Sequence, residues 1–193
     1  MRTLIFATNN KHKLEEVREL LAGKVNIRSL EEMGLAGDIP ETSDTLQGNA
    51  LQKATWVWDR TKMDCFADDT GLEVEALDGR PGVYSARYAG EHCSFADNVN
   101  KMLGEMKDKE NRKACFRTVI CLIEGGKPNY FEGRIDGEIL KEPYGEGGFG
   151  YDPIFRPERY AVSFAEMPLD VKNSISHRGR AVKKLVEYLS NEK

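Results

Sequence analysis

Leu4-Ile5-Phe6-Ala7-Thr8-Asn9-Asn10-Lys11-His12-Lys13-Leu14 is the stretch on which the fold turns. Residues 4–7 form a continuous apolar run, and a strand without polar alternation is one covered on both faces. Residues 8–13 interrupt it with polar side chains only. Leu14, Val17, Leu20 and Leu21 then recur at helical spacing, and Gly23 falls where a helix C-terminal cap belongs. Strand, polar loop and helix in this order open an α/β layer.

The reading extends outward from there. Residues 25–30 suit a second strand, and 31–44 read as a loop ending in Ser43-Asp44, two candidate N-cap residues. Leu46, Ala50, Ala54 and Val57 mark a helix. Residues 65–67 read as a short buried strand cut off by Asp68-Asp69-Thr70-Gly71, and Leu72, Val74 and Ala76 alternate with Glu73 and Glu75 as a half-exposed strand does. A helix is predicted over 97–106, a hairpin over 114–124 and 129–134 around Gly125-Gly126, a loop over 145–153, and a terminal helix carrying Ala181, Leu185 and Tyr188. No repeat, low-complexity tract or linker interrupts residues 1–193, so one mixed α/β domain is expected.

Composition narrows the function. With 28 basic and 32 acidic residues the net charge is −4, which argues against a generic nucleic-acid scaffold. No apolar run approaches the ~18 residues a spanning helix needs, so no membrane association is expected. Cys65, Cys93, Cys115 and Cys121 contain no C-x-x-C and suggest neither a zinc site nor a disulfide framework. Reduced thiols in the cytoplasm are the plain expectation.

Four segments carry candidate chemistry. Residues 8–13 place backbone N–H groups at a helix start, where anions bind, and Lys11 and Lys13 add charge. A solvated basic loop is the alternative. Asp68-Asp69 at the end of a buried strand are costly unless a cation compensates them, and with Glu41 and Glu73 they offer the oxygen donors that Mg²⁺ takes beside a phosphate ligand. An Asp-rich turn at Gly71 is the alternative. Gly147-Gly148-Phe149-Gly150 lets backbone approach a flat ligand, with Phe149 as a stacking face, or else forms a mobile loop over a buried ring. Ser176 as a helix cap puts His177 and Arg178 in the first turn, where basic residues oppose the dipole, so a ligand role is favoured there. Lys53 alone reads as a solvated lysine.

Together these segments resemble the inosine triphosphate pyrophosphatase family, the dITP/XTP pyrophosphatases. The match runs in order through residues 6–13, Glu41-Thr42, Asn49-Ala50, Lys53-Ala54, Ala67-Asp68-Asp69-Thr70-Gly71-Leu72, Pro81-Gly82-Val83-Tyr84-Ser85-Ala86-Arg87-Tyr88, residues 147–155 and Ser176-His177-Arg178. Asn9 stands where the family often has Gly, and Thr70 where it often has Ser. The resemblance implies an elongated single domain with a long central mixed sheet and two lobes flanking a nucleotide-binding cleft, assembled as a homodimer. It implies hydrolysis of ITP, dITP and XTP to the monophosphate and pyrophosphate, by Mg²⁺-assisted attack of water at the α-phosphorus.

Residue by residue, the resemblance implies that Glu41 and Asp69 hold Mg²⁺ and that Asp69 is the proton acceptor, with Asp68 a candidate partner for the metal or the water. Thr8, Asn9, Asn10, Lys11, His12, Lys13 and Lys53 would neutralise the triphosphate, and Thr70 is a further substrate-binding candidate. Phe149 would stack on the purine, Asp152, Lys172, His177 and Arg178 would surround the base and read its edge, and Gly150 and Tyr151 are further substrate-binding candidates. Two alternatives stay open: a related nucleotide pyrophosphatase with a different base preference, and a nucleotide-binding sensor without turnover. A nucleic-acid module using Lys11-His12-Lys13 and residues 178–180 is disfavoured by the net acidity.

Overall fold

The computed structural model describes residues 1–191. Seven strands form a mixed sheet: β1 (Arg2–Phe6), β2 (Val25–Arg28), β3 (Cys65–Val74), β4 (Pro81–Gly82), β5 (Lys113–Glu124), β6 (Lys127–Ile139) and β7 (Phe155–Pro157). Their order is β2-β1-β3-β5-β6-β7, with β4 paired to β3. The α-helices are α1 (Lys11–Leu21), α2 (Leu46–Thr61), α3 (Phe95–Glu105), α4 (Leu169–Ile175) and α5 (His177–Asn191). The chain divides into two compact units. The first comprises Met1–Asp69, Thr118–Gly133 and His177–Lys193, and the second Thr70–Arg117 and Arg134–Ser176.

In the first unit β1 runs parallel to both β2 and β3, and the pleat of its apolar run explains the layering. Successive side chains of a strand point to opposite faces. Leu4 and Phe6 join Val17 and Leu21 of α1 and Ala181, Val182 and Leu185 of α5 in one core. Ile5 and Ala7 join Ala50, Ala54 and Val57 of α2 in another. Phe6 and Phe66, paired in register across β1 and β3, stack with centroids 4.6 Å apart. Fully burying one such side chain contributes ~1.5–3 kcal/mol, so a run buried on both faces fixes two helix layers at once.

The second unit has one core, in which Leu72, Val74, Met102, Phe116, Ile135, Phe155 and Phe164 pack together. The four cysteines are free thiols; Cys65 and Cys121 lie in the α2-side core of the first unit.

Several boundaries differ from expectation. The strand predicted to stop before Asp68 runs on to Val74, so Asp68-Asp69-Thr70-Gly71 is strand and not turn. Ion pairs described below neutralise its acids, and the backbone ladder is kept. The cap of α2 is Thr45, whose side chain accepts from the Gly48 amide; Ser43 lies two residues before it, accepting from the Thr45 amide. The third helix starts at Phe95, two residues early, because Ser94 and Asp97 form a reciprocal capping box. The sixth strand extends beyond 134 to Ile139, and α4, β4 and β7 were not anticipated.

Candidate active site

The site residues of the first unit follow from the pleat of β3. Phe66 belongs to the core under α1 and α5, whereas Cys65 and Ala67 belong to the core under α2. Continuing the alternation, Asp68 faces α1 and α5 and Asp69 faces α2. Two carboxylates adjacent in sequence are thereby parted across the sheet, each to be compensated from its own side.

On the α1 and α5 side, Lys13 Nζ donates to Asp68 Oδ1 at 3.0 Å, and Arg178 Nε donates to Asp68 Oδ2 at 3.0 Å. Arg178 Nη1 also donates to Glu16 Oε2, and Arg178 is only 1 % exposed. Burial alone would raise the Asp68 pKa, but Lys13 and Arg178 overturn that and hold it well below the usual carboxylate range. The guanidinium is in turn raised by Glu16 and Asp68 against its own burial.

On the α2 side, Asn49 and Lys53 stand one helical turn apart. Asn49 Nδ2 donates to Asp69 Oδ2 at 3.2 Å, and Lys53 Nζ donates to Asp69 Oδ1 at 3.3 Å and Glu41 Oε1 at 2.5 Å. Burial, with the Glu41 charge, pushes the Asp69 carboxyl above its ordinary value despite Lys53 and Lys13. Lys53 is pulled down by burial, but Asp69 and Glu41 outweigh this and leave it raised. Lys53 is therefore not the solvated lysine that its isolated reading suggested; it is buried, at 6 % exposure.

Residues 8–10 are a capping structure for α1. Asn10 is the N-cap, accepting from the Lys13 amide at 3.2 Å, while its own amide donates to Thr8 Oγ1 at 3.0 Å. Asn9, Lys11 and His12 are exposed, beside first-turn amides that by helix geometry have no intrahelical acceptor. At the other end of the chain α5 begins at His177, directly after Ser176, so His177 and Arg178 do occupy its first turn; both are buried.

A second group lies in the second unit. Gly148 and Gly150 have φ of +65° and +62°, and a Cβ on Gly148 would meet Asp152 Oδ2 at 2.1 Å. Only glycine lets the loop close so that the Phe149 amide donates to Asp152 Oδ2 at 3.0 Å. Lys172 Nζ donates to the same oxygen at 2.7 Å and lies 5.0 Å from the Phe149 ring centroid. Tyr151 is a core residue whose hydroxyl donates to the Ser85 carbonyl at 2.6 Å. Thr70 is half-buried on β3.

The structure thus gathers the candidates into two sets. Glu41, Lys13, Lys53, Asp68, Asp69 and Arg178 are in the first unit, and Phe149, Asp152 and Lys172 are in the second. Glu16 and Asn49 escaped the sequence reading as site residues. Each carried a signal: Glu16 follows Lys13 by one helical turn and interrupts an apolar face, and Asn49 precedes Lys53 by four positions.

Fold and charge cluster together define a mixed α/β protein whose buried acids and cations are arranged before any ligand arrives. The chain belongs to the Ham1 family, whose model matches residues 4–188. It is 58% identical over 190 residues to a dITP/XTP pyrophosphatase of Porphyromonas gingivalis, covering 98% of both chains. It is 51% identical to a dITP/XTP pyrophosphatase of Flavobacterium johnsoniae, covering 98% of this chain and 99% of that one. Among solved structures it resembles a HAM1 protein from Coxiella burnetii, with TM-score 0.90 and 38% identity over 99% of this chain and 100% of that one. The Ham1 protein of Staphylococcus aureus gives TM-score 0.89 and 35% identity over the whole of both chains.

Proposed function

We propose that the chain hydrolyses non-canonical purine nucleoside triphosphates, ITP, dITP and XTP, to the monophosphate and pyrophosphate. The observation that carries this reading is the division of Asp68 from Asp69 by the pleat of β3. It leaves Asp68 paired with Lys13 and Arg178 on one face, and Asp69 beside Lys53, Asn49 and Glu41 on the other. The dITP/XTP pyrophosphatases at 58% and 51% identity support the substrate class.

The donor set suits Mg²⁺. Glu41 and Asp69 converge on one ammonium, that of Lys53. Mg²⁺ is usually held by one or two carboxylates, with water and substrate phosphate completing its shell. Among the described residues no group of three or more His, Cys, Asp or Glu is placed to hold a metal. Glu41 and Asp69 would hold the ion, which supplies charge stabilisation at phosphate oxygens.

The chain's own residues do the rest. Lys13, Lys53, Lys11, His12 and the amides opening α1 counter the triphosphate charge, with Thr8, Asn9, Asn10 and Thr70 as polar partners. Asp69 orients the attacking water and accepts its proton on a carboxylate oxygen. Asn49 Nδ2 donates to the carboxylate and fixes its rotation. Asp68 enters as the partner that holds Lys13 and Arg178 in place. Phe149 stacks on the purine, with Gly150, Tyr151, Asp152 and Lys172 as its neighbours in the second unit; His177 and Arg178, in the first unit, are the base-reading candidates that the family resemblance implies.

The proposal extends to residues 1–193 acting as one catalytic domain, to the homodimer that the family resemblance implies, and to work in the cytoplasm. Four free thiols suit a reducing compartment. No helix among the described residues is long and apolar enough to cross a membrane. The test is a panel of common and deaminated nucleoside triphosphates with Mg²⁺, with pyrophosphate and orthophosphate measured separately. Pyrophosphate from ITP and XTP is expected; orthophosphate, or no turnover of either, would overturn the assignment.

A further inference from the structure

The α3 start carries an aromatic ring that no step above uses. Phe95 is the first residue of α3, fixed by the capping box in which Ser94 Oγ accepts from the Asp97 amide and Asp97 Oδ2 accepts from the Ser94 amide. Its side chain is 47% exposed. A single exposed apolar residue is ordinary, so the exposure alone carries nothing. The ring contact does: Phe95 and Phe149 have centroids 5.9 Å apart at an interplanar angle of 48°, inside the range in which tilted aromatic pairs attract.

Phe149 needs such a neighbour. It stands between two glycines of positive φ, and glycine restrains the chain less than any other residue. The Asp152 carboxylate fixes its amide and the Lys172 ammonium sits over its ring. A cation over a ring leaves the ring free to turn about its face normal; contact with a second ring adds a further restraint on its orientation. A ring held in its binding orientation before the ligand arrives avoids an ordering cost on association.

We propose that Phe95 is a positioning residue of the base subsite, restraining the orientation of the Phe149 ring on which the purine stacks. The inference rests on the reading of Phe149 given above. Phe95 acts from a rigid helix start on a glycine-flanked loop, so its removal changes how the ring is presented without changing what the ring is.

The experiment is equilibrium titration with IMP and with pyrophosphate, neither of which the reaction consumes. Phe95→Ala, which leaves Ser94 and Asp97 untouched, should weaken IMP binding about threefold to tenfold, the range set by one aromatic pair. Pyrophosphate affinity should be unchanged, and Phe95→Tyr should restore IMP binding. Unaltered IMP affinity in Phe95→Ala, or an equal loss for pyrophosphate, would overturn the inference, since a purely structural role weakens both probes alike. Pyrophosphate release from ITP is assayed in parallel. IMP binding that depends on Phe95 in a chain releasing no pyrophosphate would uphold the positioning role and sink the reaction.

Discussion

Arg178 Nε donates to Asp68 Oδ2 at 3.0 Å, joining the start of the last helix to the middle of β3 across 110 positions of sequence. The same guanidinium donates to Glu16, so a single cation stands between two buried carboxylates. Removing one partner of a buried pair costs ~3–5 kcal/mol, even though Lys13 still faces Asp68. Arg178→Ala should therefore lower folding stability by that amount, seen as a reduced urea midpoint. A midpoint equal to that of the unaltered chain would mean that Glu16 and Asp68 find other compensation.

Selectivity gives a test that such a loss of stability cannot mimic. Hypoxanthine and xanthine carry an acceptor at C6 where adenine carries a donor, and a site built for one group can reject the other by ~10⁴–10⁵. ITP should be strongly preferred over ATP. If Arg178 also reads the base, Arg178→Ala should lower kcat/KM for ITP more than for ATP; a fold defect lowers both equally. Equal losses would confine Arg178 to its ion pairs.

Asp69→Asn keeps the shape and the Asn49 contact while removing the charge. Turnover should fall by at least ~10²–10⁴-fold, with nucleotide binding reduced much less. Near-normal turnover at saturating Mg²⁺ would remove Asp69 from the chemistry.

The bond cleaved can be read from isotope position. Attack at the α-phosphorus in ¹⁸O-labelled water puts the label in the monophosphate. Label confined to pyrophosphate would place the attack at the β-phosphorus.

The capping box has its own pH signature. The Asp97 carboxyl is held below its ordinary value by the Ser94 amide first and then by the Ser94 hydroxyl. A depressed folded pKa means that the cap's contribution is complete above the unfolded value of ~3.9 and is lost as pH falls through the lower folded value. Carbon chemical shifts of Asp97 should titrate below ~3.9; a midpoint at or above it would contradict the geometry.

What could be read from the sequence was whatever local pattern controls. The apolar run at Leu4 and the spacing of Leu46, Ala50, Ala54 and Val57 are periodicities, and the layers follow from them. The course of β3 was hidden because adjacent aspartates resemble a turn until their partners are known. Those partners, Lys13, Lys53 and Arg178, lie 55, 16 and 110 positions away. The family resemblance named these residues as a set, but only coordinates show which face each acid takes. Glu16 was missed for the same reason: its partner Arg178 is 162 positions distant.

The thiols bear on how the molecule can be instrumented. Burial pushes Cys65 and Cys121 up to about 12 and Cys115 up to about 11. Thiols raised that far stay protonated near neutral pH, and the thiolate is the species that alkylates. Cys93 is the half-buried one, two residues before Phe95. A maleimide dye should attach there without any cysteine having to be engineered out, placing a fluorescent reporter beside the very ring whose response to IMP is in question.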